Sequence, residues 1–256
     1  VDPNAPVHRY QLPWGRVDHF NIRETHRHLR IDMHAVVETL LVDPFSGVDN
    51  AASREDLARP EWVEPWCEWL LATGRVPIDE PECRAALEAL AAAADERVES
   101  DGSAWNFLLA LMSTIHGAFP FDPGATHVGT TLLEVMKLRR GVCQDFAHVM
   151  LGVCRLRGIP ARYVSGYLYT GHGRHSGDVM HAWVECLVRG LDGRPIWRGF
   201  DPTNDLVAGR SYVKAFLGRD YGDVAPTRGV YSGSGIGAIS VDVRVGPHEP
   251  IGAAVA

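Results

Sequence analysis

The stretch from Gly141 to Gly158 constrains this chain more than any other. Gly141-Val142-Cys143-Gln144-Asp145-Phe146-Ala147-His148 reads as a tight turn, entered through a glycine free to adopt sharp backbone angles, that delivers one cysteine to the first turn of a helix. Apolar residues then fall at Phe146, Ala147, Met150, Leu151 and Cys154, a helical period with one buried face. Leu156-Arg157-Gly158 supplies a basic last turn and a C-terminal glycine, and Pro160 follows. Free N–H groups and the positive end of the dipole favour a thiolate at such a helix start. The same N–H groups can bind the oxyanion of a tetrahedral intermediate. The plainer role, a small buried apolar residue, suits Cys67, Cys83, Cys154 and Cys186 better. None of these has CxxC or zinc spacing, so reduced, buried thiols are expected.

Two later segments carry partners for the cysteine. Met180 to Val188 alternates, with Ala182, Val184, Cys186 and Val188 on one face and His181, Trp183, Glu185 and Leu187 on the other. Pro195 to Phe200 is again strand-like and leads to Asp201 in Asp201-Pro202-Thr203-Asn204. Asp192-Gly193 between them signals a hairpin. A two-residue turn there places His181 opposite position 204, with Asp201 roughly 10 Å away along the strand. A bulge or a longer turn closes that gap. Singly, a histidine in a sheet or an aspartate opening a turn is ordinary. Cysteine, histidine and aspartate in this order are the parts of thiol acyl transfer, the aspartate orienting the imidazole and stabilising its charged form.

Gly141 to Asp145, His181-Ala182-Trp183 and Phe200 to Asn204 resemble the transglutaminase-like cysteine enzymes of bacteria, in order and in spacing. The resemblance extends to 119–126, 158–167 and 218–224, and covers about 100 to 245. It implies an α+β, papain-like core, with a cysteine-bearing helix packed on an antiparallel sheet that carries His and Asp. It implies Cys143, His181 and Asp201 as catalytic residues, no cofactor, and a peptide or protein amide as substrate. It also points to the branch with a small β-domain ahead of the catalytic domain. The expected division is 1–43 for the C-terminal part of that β-domain and 44–256 for the catalytic domain. Gly15 to Thr39 alternates in strand fashion, and the chain starts at Val1 without Met. It therefore reads as a fragment lacking its first hairpin, with an exposed or swapped sheet edge near 8–20 through which copies could associate.

The net charge of −7 argues against nucleic acid as a partner. No run of 18 apolar residues reads as a membrane span, and the thiol chemistry leans towards a cytoplasmic location. Helices are expected over 54–73, 81–99, 105–116 and 131–139, and further strands over 160–170 and 236–245. Trp62, Trp66 and Trp69 form one stripe of the first helix, suited to packing.

Supporting roles fall to Gln144 in the first helical turn and to Trp183, which shields the imidazole or lines the acyl site. Asn204 and Thr203 stabilise the Asp201 turn. Tyr167 and Trp105 are candidates for a second oxyanion donor. His172 and His175 could hold a metal with His181, but a glycine-rich loop without a carboxylate at helical spacing reads better as a gate ahead of the histidine. No metal is expected. The favoured reaction is hydrolysis of an amide. Amine transfer of the crosslinking kind is the alternative, and a silent binding module on the same fold is a further one.

Overall fold

The structure is a computed structural model, and it describes residues 1–98, 102–171, 180–233 and 238–247. His172 and His175, and the ends of two expected elements at 99 and 236–237, lie outside the described residues.

The core is a five-stranded sheet, β3 (Ala161–Leu168), β4 (Met180–Arg189), β5 (Pro195–Asp201), β6 (Leu206–Val207) and β7 (Tyr212–Gly218). The strand order is β6-β5-β4-β3-β7 and the pairings are antiparallel. Helices α4 (Ala104–Ala118) and α6 (Cys143–Leu156) pack against one face, and α3 (Pro81–Asp95) and α5 (Leu132–Leu138) pack on those helices. The even positions of β4, from Ala182 to Val188, meet α6 there. Fourteen residues of α6 form a helix with Gly158 in the left-handed region (φ 72°) just past its end, where glycine carries no Cβ penalty. Burial of that helix on β4 is the largest helix–sheet packing in the fold. At about 25 cal/mol per Å² of apolar area, it stabilises α6 far more than propensity does.

Three expectations are corrected. The region 54–73 is not one helix. It forms α1 (Arg54–Leu57), α2 (Pro60–Val63) and a 3₁₀ segment, Glu64–Leu70. Pro60 and Pro65 interrupt it, since proline offers no N–H and clashes with the preceding turn. The tryptophan stripe divides accordingly. Trp66 and Trp69 make edge contacts with Trp197 of β5, and Trp69 also with Trp14. Residues 238–245 form no strand. The outer position beside β3 belongs to β7, which the motif reading passed over. Finally, strand pairing at the N-terminus stops at a hairpin, β1 (Val7–Leu12) with β2 (Gly15–Phe20). Residues 29–42 form no strand, pairing only through the Asp2–Arg30 bridge, and Met33, Val36 and Leu40 are exposed. The hairpin tip docks on the outer face of the large sheet. There Trp14 joins Val164, Trp183, Ala208, Leu217 and Tyr212 in a second apolar cluster.

The β4–β5 register also differs by one residue. Cys186 pairs with Arg198 and Arg189 with Pro195, so the loop centres on Asp192 rather than between Asp192 and Gly193. Gly190 N–H donates to Arg194, and Gly193 sits at φ 77°, the geometry of a three-residue turn ending in a left-handed glycine. A one-residue slip exchanges the faces of a strand. The observed register carries Asp201 to the face of Trp183 and His181. The two-residue turn would have put it on the opposite side.

Candidate active site

Cys143 is the first residue of α6, partly exposed to solvent and packed against the core. The turn ahead of it is held by Asp145, whose carboxylate bends back to accept the Val142 N–H at 2.9 Å and the Thr126 hydroxyl at 2.6 Å. Burial pushes the Asp145 carboxyl up, and these two hydrogen bonds oppose it. Asp145 is thereby turned away from the thiol. Gly141 is required by this close approach. A Cβ on it would lie 2.4 Å from Asp145 Oδ2. The left-handed residue of the turn is Arg139 (φ 51°), not Gly141. The first N–H groups of a helix have no intrahelical partner; in α6 the Asp145 N–H is bonded to the Val142 carbonyl, which leaves those of Cys143 and Gln144. Gln144, next along, is buried.

His181 Nε2 donates to Asp201 Oδ2 at 2.7 Å, and Cys143 lies close enough to bear on the charge of the imidazole. With Nε2 committed to Asp201, Nδ1 is the ring nitrogen left for the thiol. Burial alone would lower the His181 pKa. The hydrogen bond to Asp201, the neighbouring Cys143 and the charges of both outweigh it and raise it to about 9. Asp201 is fully buried. Oδ2 accepts from His181 and from Asn204 Nδ2 at 2.7 Å and from the Tyr212 hydroxyl at 2.8 Å. Oδ1 accepts the Thr203 and Asn204 N–H groups at 2.9 and 3.3 Å. Burial opposes its charge, but the His181 bond and charge and these donors hold the carboxyl below its usual range.

The remaining expected residues are placed as follows. Trp183 is buried and stacks on the His181 ring, 6.2 Å between centroids at 26°. Asn204 is bound to Asp201 by both its amide and its backbone. Tyr167 is half-buried on β3, paired with Met180. Trp105 packs between Phe45 and Phe200 in the main core. Among the described residues, no side-chain hydrogen bond joins Tyr167 or Trp105 to Cys143. His148, one and a half turns along α6, is kept neutral. Burial pushes it down to about 3, Asp220 opposes, and Arg75 and Arg155 add to the fall. It accepts the Tyr221 N–H at 3.2 Å. Cys67 is exposed, unlike the buried thiol expected there, whereas Cys83, Cys154 and Cys186 are buried.

Sequence reading missed two contributors, Thr126 and Tyr212. Tyr212 opens β7 and lies eleven residues from Asp201, with no spacing rule to link them. Among the described residues, no group of three or more His, Cys, Asp or Glu side chains is placed to hold a metal, and no helix is long and apolar enough to cross a membrane.

Residues 90–202 match the model of the transglutaminase-like superfamily. An uncharacterised protein of Mycobacterium leprae (strain TN) is 32% identical over 248 residues, 95% of this chain and 82% of that protein. An uncharacterised protein of Mycobacterium tuberculosis (strain H37Rv) is 42% identical over 145 residues, 54% of this chain and 46% of its own length. Among solved structures, a candidate cysteine protease from Cytophaga hutchinsonii covers 87% of this chain and 70% of its own, with a TM-score of 0.57 at 21% identity. That likeness is one of fold.

Proposed function

The chain belongs to the transglutaminase-like superfamily, and from that premise we propose that it performs thiol-dependent acyl transfer on the amide bonds of a peptide or protein. Hydrolysis is favoured over transfer to an amine. The observation that carries this reading is the hydrogen bond from His181 to a buried Asp201, with Cys143, the first residue of α6, beside that imidazole.

The steps follow from the geometry. With a pKa of about 9, His181 is an imidazolium at neutral pH, and a cation beside a cysteine at a helix start favours the thiolate, the reactive form. Cys143 Sγ attacks the amide carbon, and the carbonyl oxygen takes the negative charge. The free N–H groups at the start of α6 stabilise that oxyanion, an effect worth about 3–4 kcal/mol for one well-placed donor. Collapse expels the nitrogen, which takes its proton from His181 Nδ1. The now neutral imidazole removes a proton from water, which attacks the thioester. Asp201 keeps Nδ1 aimed at the sulfur throughout. Cys143 is partly open to solvent, so water reaches the acyl-enzyme. Aminolysis would need water kept out.

The test is incubation of the full chain with a peptide mixture rich in glutamine, with and without a fluorescent primary amine, read by mass spectrometry. Peptide cleavage or conversion of Gln to Glu supports hydrolysis, and amine incorporation at the expense of both supports the transfer alternative. Undiminished turnover by Cys143→Ala would sink either form.

A further inference from the structure

We propose that Tyr212 is a positioning residue of this reaction, its hydroxyl holding Asp201 from the outer side of the sheet and taking a share of the carboxylate charge that His181 would otherwise feel. The inference rests on the Cys143–His181–Asp201 reading and deepens it.

Three observations support it. The Tyr212 hydroxyl donates at 2.8 Å to Oδ2, the same oxygen that accepts His181 Nε2. That oxygen also accepts Asn204 Nδ2 at 2.7 Å, so three donors divide one charge. The Tyr212 ring is itself fixed. It makes an edge contact with Trp183 (5.3 Å, 74°), and Trp183 stacks on His181. Both rings lie in the apolar cluster that Trp14 of the docked hairpin completes. Burial and the Asp201 charge also push the phenol well above its ordinary range. It therefore remains a donor at every working pH.

The expected effect has a definite sign. A hydrogen bond to a carboxylate favours its charged form and lowers its affinity for another donor's proton. Removing the Tyr212 bond concentrates charge on the path to His181, and the imidazolium becomes harder to deprotonate. A merely structural tyrosine would change stability and leave that titration alone. Among the described residues, the charged and titratable groups facing His181 are Cys143 from α6 and Asp201 from β5, with Tyr212 from β7. The neutral groups are Asn204 of the turn and Trp183 of β4.

The experiment follows the His181 ring by NMR in the full chain carrying labelled histidine, its signal assigned by its loss in His181→Asn. Wild type is compared with Tyr212→Phe and with a chain carrying 3,5-difluorotyrosine at 212, whose more acidic phenol is a stronger donor of nearly the same shape. Tyr212→Phe is expected to raise the midpoint by a few tenths to about one unit, and the fluorinated chain to lower it. Titrations that coincide with wild type in both chains would overturn the inference. Should Tyr212→Phe not fold, the fluorinated chain decides alone. Selective alkylation of Cys143 by iodoacetamide is measured in the same samples. An unmoved titration with Cys143 labelling intact removes only the role of Tyr212. Loss of selective labelling in wild type removes the catalytic reading itself.

Discussion

The sulfur atoms of Cys154 and Cys186 lie 3.6 Å apart, fully buried, where α6 crosses β4. From Cys154 back to Cys143 the helix runs eleven residues, about 16 Å at 1.5 Å per residue. From Cys186 back to His181 the strand runs five residues, again about 16 Å at 3.3 Å per residue. The two paths have equal length, so one contact deep in the core brings the thiol and the imidazole to the same level at the rim. Register in the core is thereby converted into geometry at the site.

A first prediction tests that conversion. Cys154→Leu forces extra volume between helix and strand, costing about 1–3 kcal/mol, and pushes α6 off the level of His181. Cys154→Ala leaves only a small cavity and keeps the level. Urea unfolding should show a loss for both. The rate of iodoacetamide labelling at Cys143 should fall several-fold only for Cys154→Leu. Equal labelling of the two variants would mean that the contact does not set the alignment.

A second prediction concerns selectivity among the five thiols. Cys83, Cys154 and Cys186 are buried, and burial with Glu80 and Asp79 nearby pushes Cys83 up, so all three should stay unlabelled in the folded protein. Cys67 is exposed and should be labelled more slowly than Cys143. Cys143, beside the His181 cation and at a helix start, should be the first thiol labelled. Peptide mapping after brief alkylation at pH 6 settles the matter. Label on Cys67 but not on Cys143 would show an unassembled pair.

The third prediction follows from the raised His181 pKa. A group whose folded pKa lies above its unfolded value of 6.5 contributes stability in full below 6.5, and loses it as pH rises through the folded value, here about 9. Cys143 contributes to that rise, so the comparison belongs in a Cys143→Ala background. The window there is narrower at its upper end, because part of the rise comes from Cys143. In that background stability should fall with pH from about 6.5 upward. Adding Asp201→Asn should cost on the order of 3 kcal/mol near pH 6 and flatten the slope. Urea midpoints across pH 5 to 10 measure both, and an unchanged slope after Asp201→Asn would place the source of the shift elsewhere.

The helix and strand that carry Cys143 and His181 were legible because each is specified locally, by period, cap and turn. The Asp192-Gly193 signal was legible too, but not its loop length. Whether such a dipeptide makes a two- or three-residue turn depends on whether Gly193 alone, or its neighbour as well, takes a positive φ, and the neighbouring ladder decides that. The broken helix at 54–73 followed from two prolines that the tryptophan stripe outweighed in reading. Tyr212 had no local signature. Its partner is reached only because β7 folds back beside β3, so its role is a product of topology. Thr126, seventeen residues ahead of Cys143, is hidden for the same reason.

Gly141→Ala separates two accounts of the turn before the cysteine. If Gly141 were needed for its freedom of φ, alanine would be strained wherever φ is positive, but Gly141 is not among the positive-φ residues. The account supported here is contact: a new Cβ would stand 2.4 Å from Asp145 Oδ2 and 2.9 Å from Asp145 Cβ. Relief requires the Asp145 carboxylate to leave, breaking its bonds to Val142 N–H and Thr126 Oγ1. Bonds to a charged acceptor contribute about 1.5–3 kcal/mol each. Gly141→Ala should therefore lower stability by about 2–4 kcal/mol and slow Cys143 alkylation, as the first turn of α6 loses its hold. Thr126→Val removes one of the two bonds and should cost roughly half as much. Combined with Asp145→Gly, which removes the Asp145 Cβ as well as its carboxylate and so clears the space, Gly141→Ala should add almost nothing further. A full additional loss in that double variant would show that the backbone, not the carboxylate, is what the glycine serves.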